Sequence, residues 1–504
     1  MSAEIQKPSY EELEARVAEQ SAHIQFLAEQ IRLLKHRMFG RKSERFIPDT
    51  QESLFPPPEF KPEETPKTTV AEHERAKRPG RKPLPDTLPR ERVEYEPEQT
   101  ICDCCSEEMP KIGEEVTEEL EYIPAQFKVI EHVKIKRACP RCKQGVVQGK
   151  IPPAVLPLEK CRVGAALLAY LYVAKYCDHM PLNRLQQKFL RHGIDIPRQR
   201  MCDWIGAGVE QILLVIALAL KKSVRASAYI RADETELEVQ TEEKDGKLHR
   251  GRLWGILSYE KDLYFEYAPS RSSEVARSLL GGISGCVQAD LYSGYNFLER
   301  EPNIVRIACW DHARRKFVEA KNSAPEQAKT VLTLIGELYR FEREFKDKLK
   351  KEKRPLDPAE RVLMRQQKAR PVLVKLKEYL DTFAMYELPK SSLGKAVRYV
   401  LPAWEGFTAF VDHGLVELSN ALLEQQNRSI ALGRNNWFFA GSDRGAKWAA
   451  VVYSLIGTCK LNGVNPYEYL ADVLRRAPSM PRSAVEAELT PRAWKAAKAR
   501  ASQM

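Results

Sequence analysis

The stretch from residue 228 to residue 310 constrains the fold most, because apolar residues recur there at every second position. This period is typical of strands, whereas the flanking segments have the period of helices. The expected order is three consecutive strands, a helix that ends at Leu280, a fourth strand that ends at Asp290, a second helix and a fifth strand. The strands are predicted at 228–239, 252–260, 262–270, before Asp290 and at 303–310.

This order predicts a ribonuclease-H-like domain of mixed α+β class, in which the first and fourth strands lie side by side. Asp233 and Asp290 are both expected where these strands end, so two carboxylates from distant parts of the chain meet at one place. Two anions held so close take up protons unless a cation binds between them. Carboxylates and water are the ligands that Mg²⁺ prefers.

A third carboxylate is expected on a helix that packs against this sheet. Glu417 and Glu424 are seven residues apart, so both could lie on one face of a single helix. Glu424 is the preferred candidate because Asn420 and Arg428 lie one turn to either side of it. Glu417 is nearer the predicted helix start, where an acidic residue is favourable in any case.

The charge of the chain favours a polyanionic partner. Its 80 Lys and Arg against 69 Asp and Glu give a formal net charge of +11, which attracts nucleic acid, although many basic proteins gain only solubility from such a charge. Two Mg²⁺ or Mn²⁺ ions in an acidic centre could then activate water or a 3′-hydroxyl against a phosphodiester. The sequence therefore indicates a basic surface that binds DNA and an acidic centre that cuts it.

The N-terminal segment has the heptad pattern of a coiled coil from Tyr10 to Met38. This pattern predicts a homo-oligomer that associates through the N-terminal helix, and the alternative is a helix packed on its own domain. The following residues, 47–99, are rich in Pro, Glu and Lys and are interpreted as a linker. Within it, Arg78, Arg81 and Lys82 could lie in an A/T-rich minor groove, or could be an ordinary solvated segment.

Two CxxC pairs predict a structural zinc site. Cys102 and Cys105 form the first pair, and Cys139 and Cys142 form the second. Four thiolates suit a tetrahedral Zn²⁺ that holds the ends of a hairpin together, and free core cysteines are the alternative. Eleven cysteines in a long chain argue for reduced thiols and against a disulfide framework.

The segment 161–224 has a helical pattern. Two short helices are expected on either side of a break at His192 and Gly193, with the second beginning near Pro197. This outline is typical of a helix-turn-helix, whose second helix would present Arg198 and Arg200 to DNA. An ordinary helical hairpin explains the same pattern.

A charge-rich helical insertion is expected at about 313–410. His312, Arg315 and Lys316 lie at its start and could contact DNA phosphate or steady the acidic centre; a satisfied helix start is the alternative. After the insertion, aromatic residues are interpreted as core residues and not as groups that stack on bases. These aromatic residues are Trp437, Phe438, Phe439 and Trp448.

The apolar runs are shorter than the roughly 20 residues that cross a bilayer, and the N-terminus has no apolar signal core. We therefore expect no membrane span and a cytoplasmic, nucleoid-associated location. The predicted domains are a coiled-coil helix at 1–46, the linker at 47–99, a zinc-binding β domain at 100–160, a helical DNA-binding domain at 161–224, a catalytic domain at 225–475 and a C-terminal tail at 476–504.

Several motifs in one order resemble the insertion-sequence-66 transposase family over nearly the whole chain. They include GRKPLP at 80–85, the two CxxC pairs, ADET at 232–235, QADLYSGYN at 288–296, CWDHARRKF at 309–317 and ALGRNNWFFAGSD at 431–443. The resemblance implies an Asp-Asp-Glu transposase with Asp233, Asp290 and Glu424 as its triad. It also implies accessory proteins of the same element and recognition of terminal inverted repeats. The chain departs from the family pattern at Ser419, Ala421 and Gln425.

The expected function is a DNA transposase that hydrolyses a phosphodiester at the element end and joins the freed 3′-hydroxyl to target DNA. One alternative is a structure-specific nuclease of the same fold. Another is a DNA-binding protein, descended from a transposase, that has lost its catalytic activity.

Overall fold

The computed structural model describes residues 163–240 and 247–501, with shorter stretches at 126–138 and 146–149 and a few single residues. The predicted coiled coil and linker lie outside the described residues. So do Arg78, Arg81, Lys82, Cys102, Cys105, Cys139 and Cys142.

A small antiparallel hairpin is described in the region of the predicted zinc-binding domain. Strand β1 (Lys136–Ala138) pairs with β2 (Val146–Gln148), with Ala138 opposite Val146. The connection between the two strands is the segment that contains the second CxxC pair. A hairpin closed by such a segment is the arrangement expected of a zinc-binding turn.

Four helices form the next region, as the apolar periodicity predicts: α1 (Ala165–Tyr176), α2 (Leu182–Leu190), α3 (Arg198–Gly208) and α4 (Leu214–Arg225). The predicted pair of short helices is α2 and α3. Gly193 makes the turn between them with a φ of 74°, which glycine adopts without strain. Arg198 and Arg200 are exposed at the start of α3.

The continuous helical run Arg198–Arg225 is long and apolar enough to cross a membrane by length and composition. It includes a π-helical turn at Val209–Leu213. More than half of its most apolar window is buried against the rest of the protein, as in the core helix of a globular domain. Its apolar character is therefore weak evidence for a membrane span.

A five-stranded mixed sheet forms the centre of the following domain. Its strands are β3 (Tyr229–Gln240), β4 (Leu248–Ser258), β5 (Leu263–Ala268), β6 (Gly285–Ala289) and β7 (Ile304–Ala308). Their order across the sheet is β5-β4-β3-β6-β7, with β4 antiparallel to both neighbours and β3, β6 and β7 parallel. The predicted adjacency of the first and fourth strands is confirmed. Helix α5 (Ser273–Leu280) joins β5 to β6.

The sheet separates two apolar cores, and alternate residues of its strands enter different cores. Ile230 and Val287 belong to the core shared with α1–α4 and the C-terminal helices. Tyr229 and Cys286 belong to the core shared with the helical insertion. Both faces of the sheet are therefore covered where β3, β6 and β7 run side by side.

The prediction that Asp233 lies at the end of its strand is wrong. Strand β3 continues for seven residues beyond Asp233, to Gln240, and pairs along this length with β4. Only Tyr229 to Arg231 pair with β6. Asp233 is therefore at the point where the parallel neighbour ends, and not where its own strand ends.

The segment after β7 is helical, as expected. It contains α6 (Trp310–Ala320), α7 (Pro325–Glu352), α8 (Pro358–Met364), α9 (Arg370–Tyr386), α10 (Ser392–Val400) and α11 (Trp404–Thr408). Apolar residues of these helices form the second core with one face of the sheet. The chain then returns to the sheet through residues 409–420.

The C-terminal part consists of α12 (Ala421–Trp437), α13 (Asp443–Leu461), α14 (Pro466–Arg476), α15 (Arg482–Glu488) and α16 (Pro491–Ala501). The predicted tail is therefore helical, and Trp494 is buried in it. The assignment of the aromatic cluster to the core is wrong for two residues. Phe438 is 71% exposed and Phe439 is 40% exposed, at a turn where Phe438 has a φ of 63°.

Candidate active site

The register of the sheet places Asp233 and Asp290 beside each other. Arg231 on β3 is opposite Gln288 on β6. Asp233 follows Arg231 by two residues, and Asp290 follows Gln288 by two residues. Since side chains two residues apart in an extended chain lie on the same face, both acids lie on the face that carries Tyr229 and Gln288. The Tyr229 hydroxyl donates to Gln288 Oε1 at 2.6 Å on that face.

Helix α12 brings Glu424 to the same place. Asn420, immediately before the helix, donates from Nδ2 to the backbone oxygen of Ala232 at 3.0 Å. One turn after Glu424, Asn427 donates from Nδ2 to Asp233 Oδ2 at 2.8 Å. Glu424 and Asn427 are three residues apart and share one face of the helix. We call Asp233, Asp290 and Glu424 the acidic site.

The three carboxylates interact electrostatically. Burial raises the pKa of Asp233 to about 8, and the charges of Glu234, Asp290 and Glu424 raise it further. Without a cation, the Asp233 carboxyl group therefore keeps a proton near neutral pH. This is the behaviour expected where several carboxylates share a site.

Other acidic side chains around the site have their own partners. Glu234 accepts from Arg271 Nε at 2.6 Å and from the Tyr295 hydroxyl at 2.9 Å. Glu236 accepts from Arg252 at 2.9 Å, and Asp311 accepts from the Tyr339 hydroxyl. The carboxylates of Glu234, Glu236 and Asp311 are therefore held by neighbouring side chains.

Helix α6 contributes two basic side chains to Glu424. Arg315 Nη2 donates to Glu424 Oε2 at 2.8 Å, and His312 Nδ1 lies 3.7 Å from Glu424 Oε1. Burial and the charge of Arg315 lower the pKa of His312, so its imidazole is neutral at pH 7. His312 and Arg315 thus both lie beside Glu424, and a role for them in steadying the acidic centre stays a prediction.

Several buried polar atoms at the site have no hydrogen-bond partner among the described residues. They are His312 Nδ1, Asn420 Oδ1, Glu424 Oε1 and Asn427 Oδ1. Buried polar atoms are normally satisfied, so a group of orphaned acceptors beside three carboxylates indicates a ligand that supplies positive charge. The three oxygen atoms among them are of the kind that fits Mg²⁺ or Mn²⁺.

Glu417, the other candidate for the third acid, belongs to a different cluster. It lies in the loop before α12, so the expectation that it shares a helix with Glu424 is wrong. Its carboxylate accepts from Lys346 at 2.7 Å and from Arg361 at 3.0 Å. Although burial opposes ionisation, the charges of Arg361 and Lys346 lower the pKa of Glu417 to about 2.

Glu342, Arg361, Arg365 and Glu417 form a group that we call the arginine cluster. Both arginine side chains are fully buried. Arg361 Nε donates to Glu342 Oε2 at 3.0 Å, and Arg365 Nε donates to Glu342 Oε1 at 2.6 Å. The charges of the cluster are therefore paired, as buried charges must be.

The arginine cluster also holds the loop that leads to α12. Arg365 donates to the backbone oxygens of Phe410, His413 and Val416 at 2.6–2.9 Å. On the sheet side, Gln288 Nε2 donates to the Glu417 backbone oxygen at 2.9 Å. The helical insertion and the sheet thus fix the same loop, seven residues before Glu424.

The remaining predicted DNA-binding residues lie elsewhere. Arg198 and Arg200 are exposed on α3, and no contact with the acidic site is seen for them among the described residues. Arg428 is exposed on α12, one turn after Glu424. Lys316 lies 3.7 Å from Glu319 on the surface of α6.

Two residues at the site were not found from the sequence. Asn427 is three residues from Glu424, and this helical spacing could have identified it in place of Arg428 as the residue that faces the acids. Cys309 precedes α6, and its thiol accepts from the Asn420 backbone at 3.3 Å. The short spacing between Cys309 and His312 within CWDH was the available signal.

Family models match the chain over most of its length. The model described as "Transposase IS66 family" matches residues 160–448 and includes the whole acidic site. Models described as "zinc-finger binding domain of transposase IS66", "Transposase C of IS166 homeodomain" and "IS66 C-terminal element" match residues 99–143, 27–93 and 454–491. A transposase with a zinc-finger domain is the class that these matches define.

The chain belongs to the IS66 transposase family, which confirms the resemblance seen in the motifs. It is similar to protein y4hP of Sinorhizobium fredii, with 34% identity over 449 residues, 84% of this chain and 78% of the relative. It is also similar to protein y4qI of the same organism, with 31% identity over 491 residues, 91% of this chain and 87% of the relative. Both relatives carry the description "uncharacterized".

The zinc-finger match includes all four cysteines of the CxxC pairs. The prediction of a zinc-binding domain is therefore confirmed at the level of the domain. The match to the model described as "Transposase C of IS166 homeodomain", which is a leucine-zipper model, begins at residue 27 and overlaps the end of the predicted heptad segment. This overlap supports an oligomerisation element in the N-terminal part of the chain.

Proposed function

We propose that this transposase is of the Asp-Asp-Glu type and that its catalytic domain has a ribonuclease-H-like fold. The support for the fold is the strand order, in which a meander of three strands is extended by two parallel strands on the side of the first strand. The single observation that carries the catalytic assignment is the acidic site itself: three carboxylates gather there beside orphaned acceptors, while neighbouring acids are paired.

Asp233, Asp290 and Glu424 would hold two Mg²⁺ or Mn²⁺ ions. When bound, such ions lower the pKa of a coordinated water and stabilise the charge on the phosphodiester oxygens. The residues of the chain supply the arrangement. Asn427 holds Asp233 through Oδ2, and Arg315 holds Glu424 through Oε2, so that Glu424 Oε1 remains open toward the site.

The proposed substrate is DNA, at the terminal inverted repeats of a mobile element and at the target. Hydrolysis of a phosphodiester at the element end frees a 3′-hydroxyl, and this hydroxyl attacks a target phosphodiester by the same in-line displacement. The displaced oxygen leaves on the opposite side of the phosphorus, and the proton of the attacking group passes to solvent. No covalent bond between enzyme and DNA forms in either step.

DNA contacts are proposed for the basic residues that the sequence singled out. These are Arg78, Arg81 and Lys82 in the linker, Arg198 and Arg200 on α3, His312 and Arg315 at the acidic site, and Lys316 and Arg428 on the surfaces of α6 and α12. Their common property is a positive or protonatable group that can lie against phosphate. We also propose self-association through the N-terminal helix, accessory proteins of the same element and a cytoplasmic location on the nucleoid.

Structural zinc is proposed to be bound by Cys102, Cys105, Cys139 and Cys142. Four thiolates with this spacing form a closed site that takes no part in hydrolysis. Serine at any one of the four positions should reduce the zinc content of purified protein. An unchanged zinc content would show that the ligands are other residues.

A strand-transfer assay with element-end DNA, target DNA and Mg²⁺ or Mn²⁺ tests the proposed reaction. We expect joined product from the wild-type protein and none from Asp233→Asn, Asp290→Asn or Glu424→Gln. Glu319→Gln is a matched control, since this exposed carboxylate on α6 contacts Lys316 at the surface.

Each outcome of the assay corresponds to a different activity of the protein. Nicks without joining would indicate a nuclease, and a DNA mobility shift without cleavage would indicate a binding protein that has lost catalysis. Equal product from the wild-type protein and Asp233→Asn would remove Asp233 from the proposed triad.

A further inference from the structure

A second set of metal-binding groups adjoins the acidic site. Cys309 lies immediately before α6, His312 lies in the first turn of α6, and Glu424 lies in the first turn of α12. One ligand atom from each residue lies within 4.8 Å of the other two. The His312 Nδ1 and Glu424 Oε1 atoms are 3.7 Å apart.

These ligand atoms are buried and available. His312 Nδ1 and Glu424 Oε1 are inaccessible to solvent and have no hydrogen-bond partner among the described residues. Cys309 is 1% exposed, and its sulfur accepts a long hydrogen bond, of 3.3 Å, from the Asn420 backbone and a second one from the backbone of His312. Leaving such polar atoms unsatisfied costs stability, so their convergence calls for a ligand.

The donor set differs in kind from that of the acidic site. Thiolate and imidazole are ligands of Zn²⁺ and similar borderline ions, whereas Mg²⁺ prefers oxygen alone. Tetrahedral Zn²⁺ with ligand bonds of about 2.0–2.3 Å separates its ligand atoms by about 3.3–3.5 Å. The 3.7 Å between His312 Nδ1 and Glu424 Oε1 is therefore close to the required separation.

We propose that Cys309, His312 and Glu424 form a second metal site, which binds Zn²⁺ and withdraws Glu424 from the proposed Mg²⁺ site. Three protein ligands leave one position of a tetrahedral ion for water. Glu424 uses Oε1 toward Zn²⁺, and Arg315 keeps its contact with Oε2. The site thus makes the transposase sensitive to zinc, because one carboxylate serves two alternative sets of ligands.

Binding of the ion requires a change in only one protonation state. Burial raises the pKa of the Cys309 thiol to about 12, so the thiol is protonated before the ion binds. On binding, the S–H proton passes to solvent and the sulfur becomes a thiolate ligand, with no oxidation or reduction. The imidazole of His312 is already neutral.

Cobalt(II) is a suitable probe, because a cobalt–thiolate bond gives a charge-transfer absorption band. Full-length protein with its structural zinc in place is titrated with Co²⁺. We expect a band that saturates at about one equivalent in the wild-type protein, is absent in Cys309→Ser and needs at least about tenfold more Co²⁺ in His312→Gln. Cys202→Ser is the matched control, since this partly buried cysteine on α3 is outside the cluster.

Circular dichroism and thermal unfolding check that each variant is folded, and His312→Gln provides the test if Cys309→Ser does not fold. No band in the wild-type protein would overturn the proposal. A band of equal strength in Cys309→Ser would also overturn it, because the cobalt would then be bound by other cysteines.

The effect on Glu424 rests on the proposed function and is tested separately. Mg²⁺-dependent cleavage is measured with and without added Zn²⁺, as a ratio for each variant. We expect Zn²⁺ to reduce cleavage at least about tenfold in the wild-type protein and Cys202→Ser, and at most about twofold in Cys309→Ser. Equal inhibition of all three proteins would contradict competition for Glu424. A cobalt band in a wild-type protein that never cleaves DNA would instead reject the proposed function and retain the metal site.

Discussion

The acidic site and the arginine cluster are both groups of carboxylates that are wholly or partly removed from solvent in the same domain, but the charges around them differ. In the arginine cluster, Glu342 and Glu417 are paired with Arg361 and Arg365. In the acidic site, Asp233 has Asn427, an amide, as its side-chain partner. The pKa of Glu417 is consequently lowered and that of Asp233 is raised.

The difference shows how a carboxylate that stabilises the fold can be distinguished from a carboxylate that binds a ligand. A buried acid with enough cationic neighbours holds its surroundings together and needs nothing further. A buried acid that faces other acids destabilises the fold until a cation binds. Glu417 and Glu424 are seven residues apart and differ in how fully they are paired. Glu417 accepts from both Lys346 and Arg361, whereas Glu424 accepts from Arg315 through Oε2 and its Oε1 has no hydrogen-bond partner among the described residues.

Substitution in the acidic site should remove activity without removing the fold. We expect Asp233→Asn to reduce strand transfer by about a thousandfold or more, because one ligand of the metal ions is lost. Its thermal unfolding temperature at neutral pH without divalent ions should stay close to that of the wild-type protein, because the neutral amide replaces a carboxyl group that is itself protonated there. The two measurements are a strand-transfer assay and calorimetry. A variant that is both inactive and unfolded would show that Asp233 is needed for the fold and not only for binding metal ions.

Substitution in the arginine cluster should have the opposite effect on stability. Glu342→Gln leaves Arg361 and Arg365 buried without their shared carboxylate, and should lower the free energy of unfolding by about 3–5 kcal/mol in urea titrations. Arg370→Ala is the control in the same insertion, since Arg370 and Asp412 form an ion pair that is more than half exposed. It should cost less than about 1 kcal/mol. Equal costs for the two variants would contradict the structural role of the cluster.

The pH dependence of stability separates the two groups further. The folded-state pKa of Glu417, about 2, lies below its ordinary value of 4.5. Its ionisation therefore stabilises the fold above about pH 4.5, and this contribution, up to about 3 kcal/mol, is lost as the pH falls toward 2. Unfolding free energies measured from pH 6 to pH 2 should fall more steeply for the wild-type protein than for Glu417→Gln. Parallel curves would show that Glu417 is not paired in solution.

Mn²⁺ should stabilise the protein through the acidic site and not through the arginine cluster. At a free concentration ten times Kd, Mn²⁺ should add about 1.4 kcal/mol to the stability of the wild-type protein. Arg370→Ala should gain the same amount, and Asp233→Asn should gain much less. Scanning calorimetry with and without Mn²⁺ makes the comparison, and an equal shift in all three proteins would indicate ions bound elsewhere.

The sequence was sufficient to predict what depends on local pattern and chain order. The alternation of Ala228 to Val239 and the order of elements after it predicted the sheet and placed β3 beside β6. The exposed basic start of α3 followed from the break at Gly193. These features depend on periodicity and turns, which a single sequence records.

Features set by long-range partners were harder to predict. Glu417 resembled Glu424 until its contacts with Lys346 and Arg361 on the insertion were known. Phe438 is apolar but exposed, because it lies in a turn between two helices. The helical spacing from Glu424 places Asn427 on the same face of α12, but its contact with Asp233 depends on how α12 crosses β3, which that spacing does not specify.

The length of β3 beyond Asp233 has a consequence for how the domain tolerates a long insertion. The strand contacts both ends of α12: Ala232 accepts from Asn420, and the backbone of Glu238 and Gln240 exchanges hydrogen bonds with Ala440. At about 3.3 Å per residue, the six steps from Ala232 to Glu238 span about 20 Å, roughly four-fifths of the length of about 26 Å of the 17-residue helix. Strand β3 therefore fixes both ends of the helix that carries Glu424. Helices added or removed upstream could change the bulk of the domain while the geometry at Glu424 is preserved.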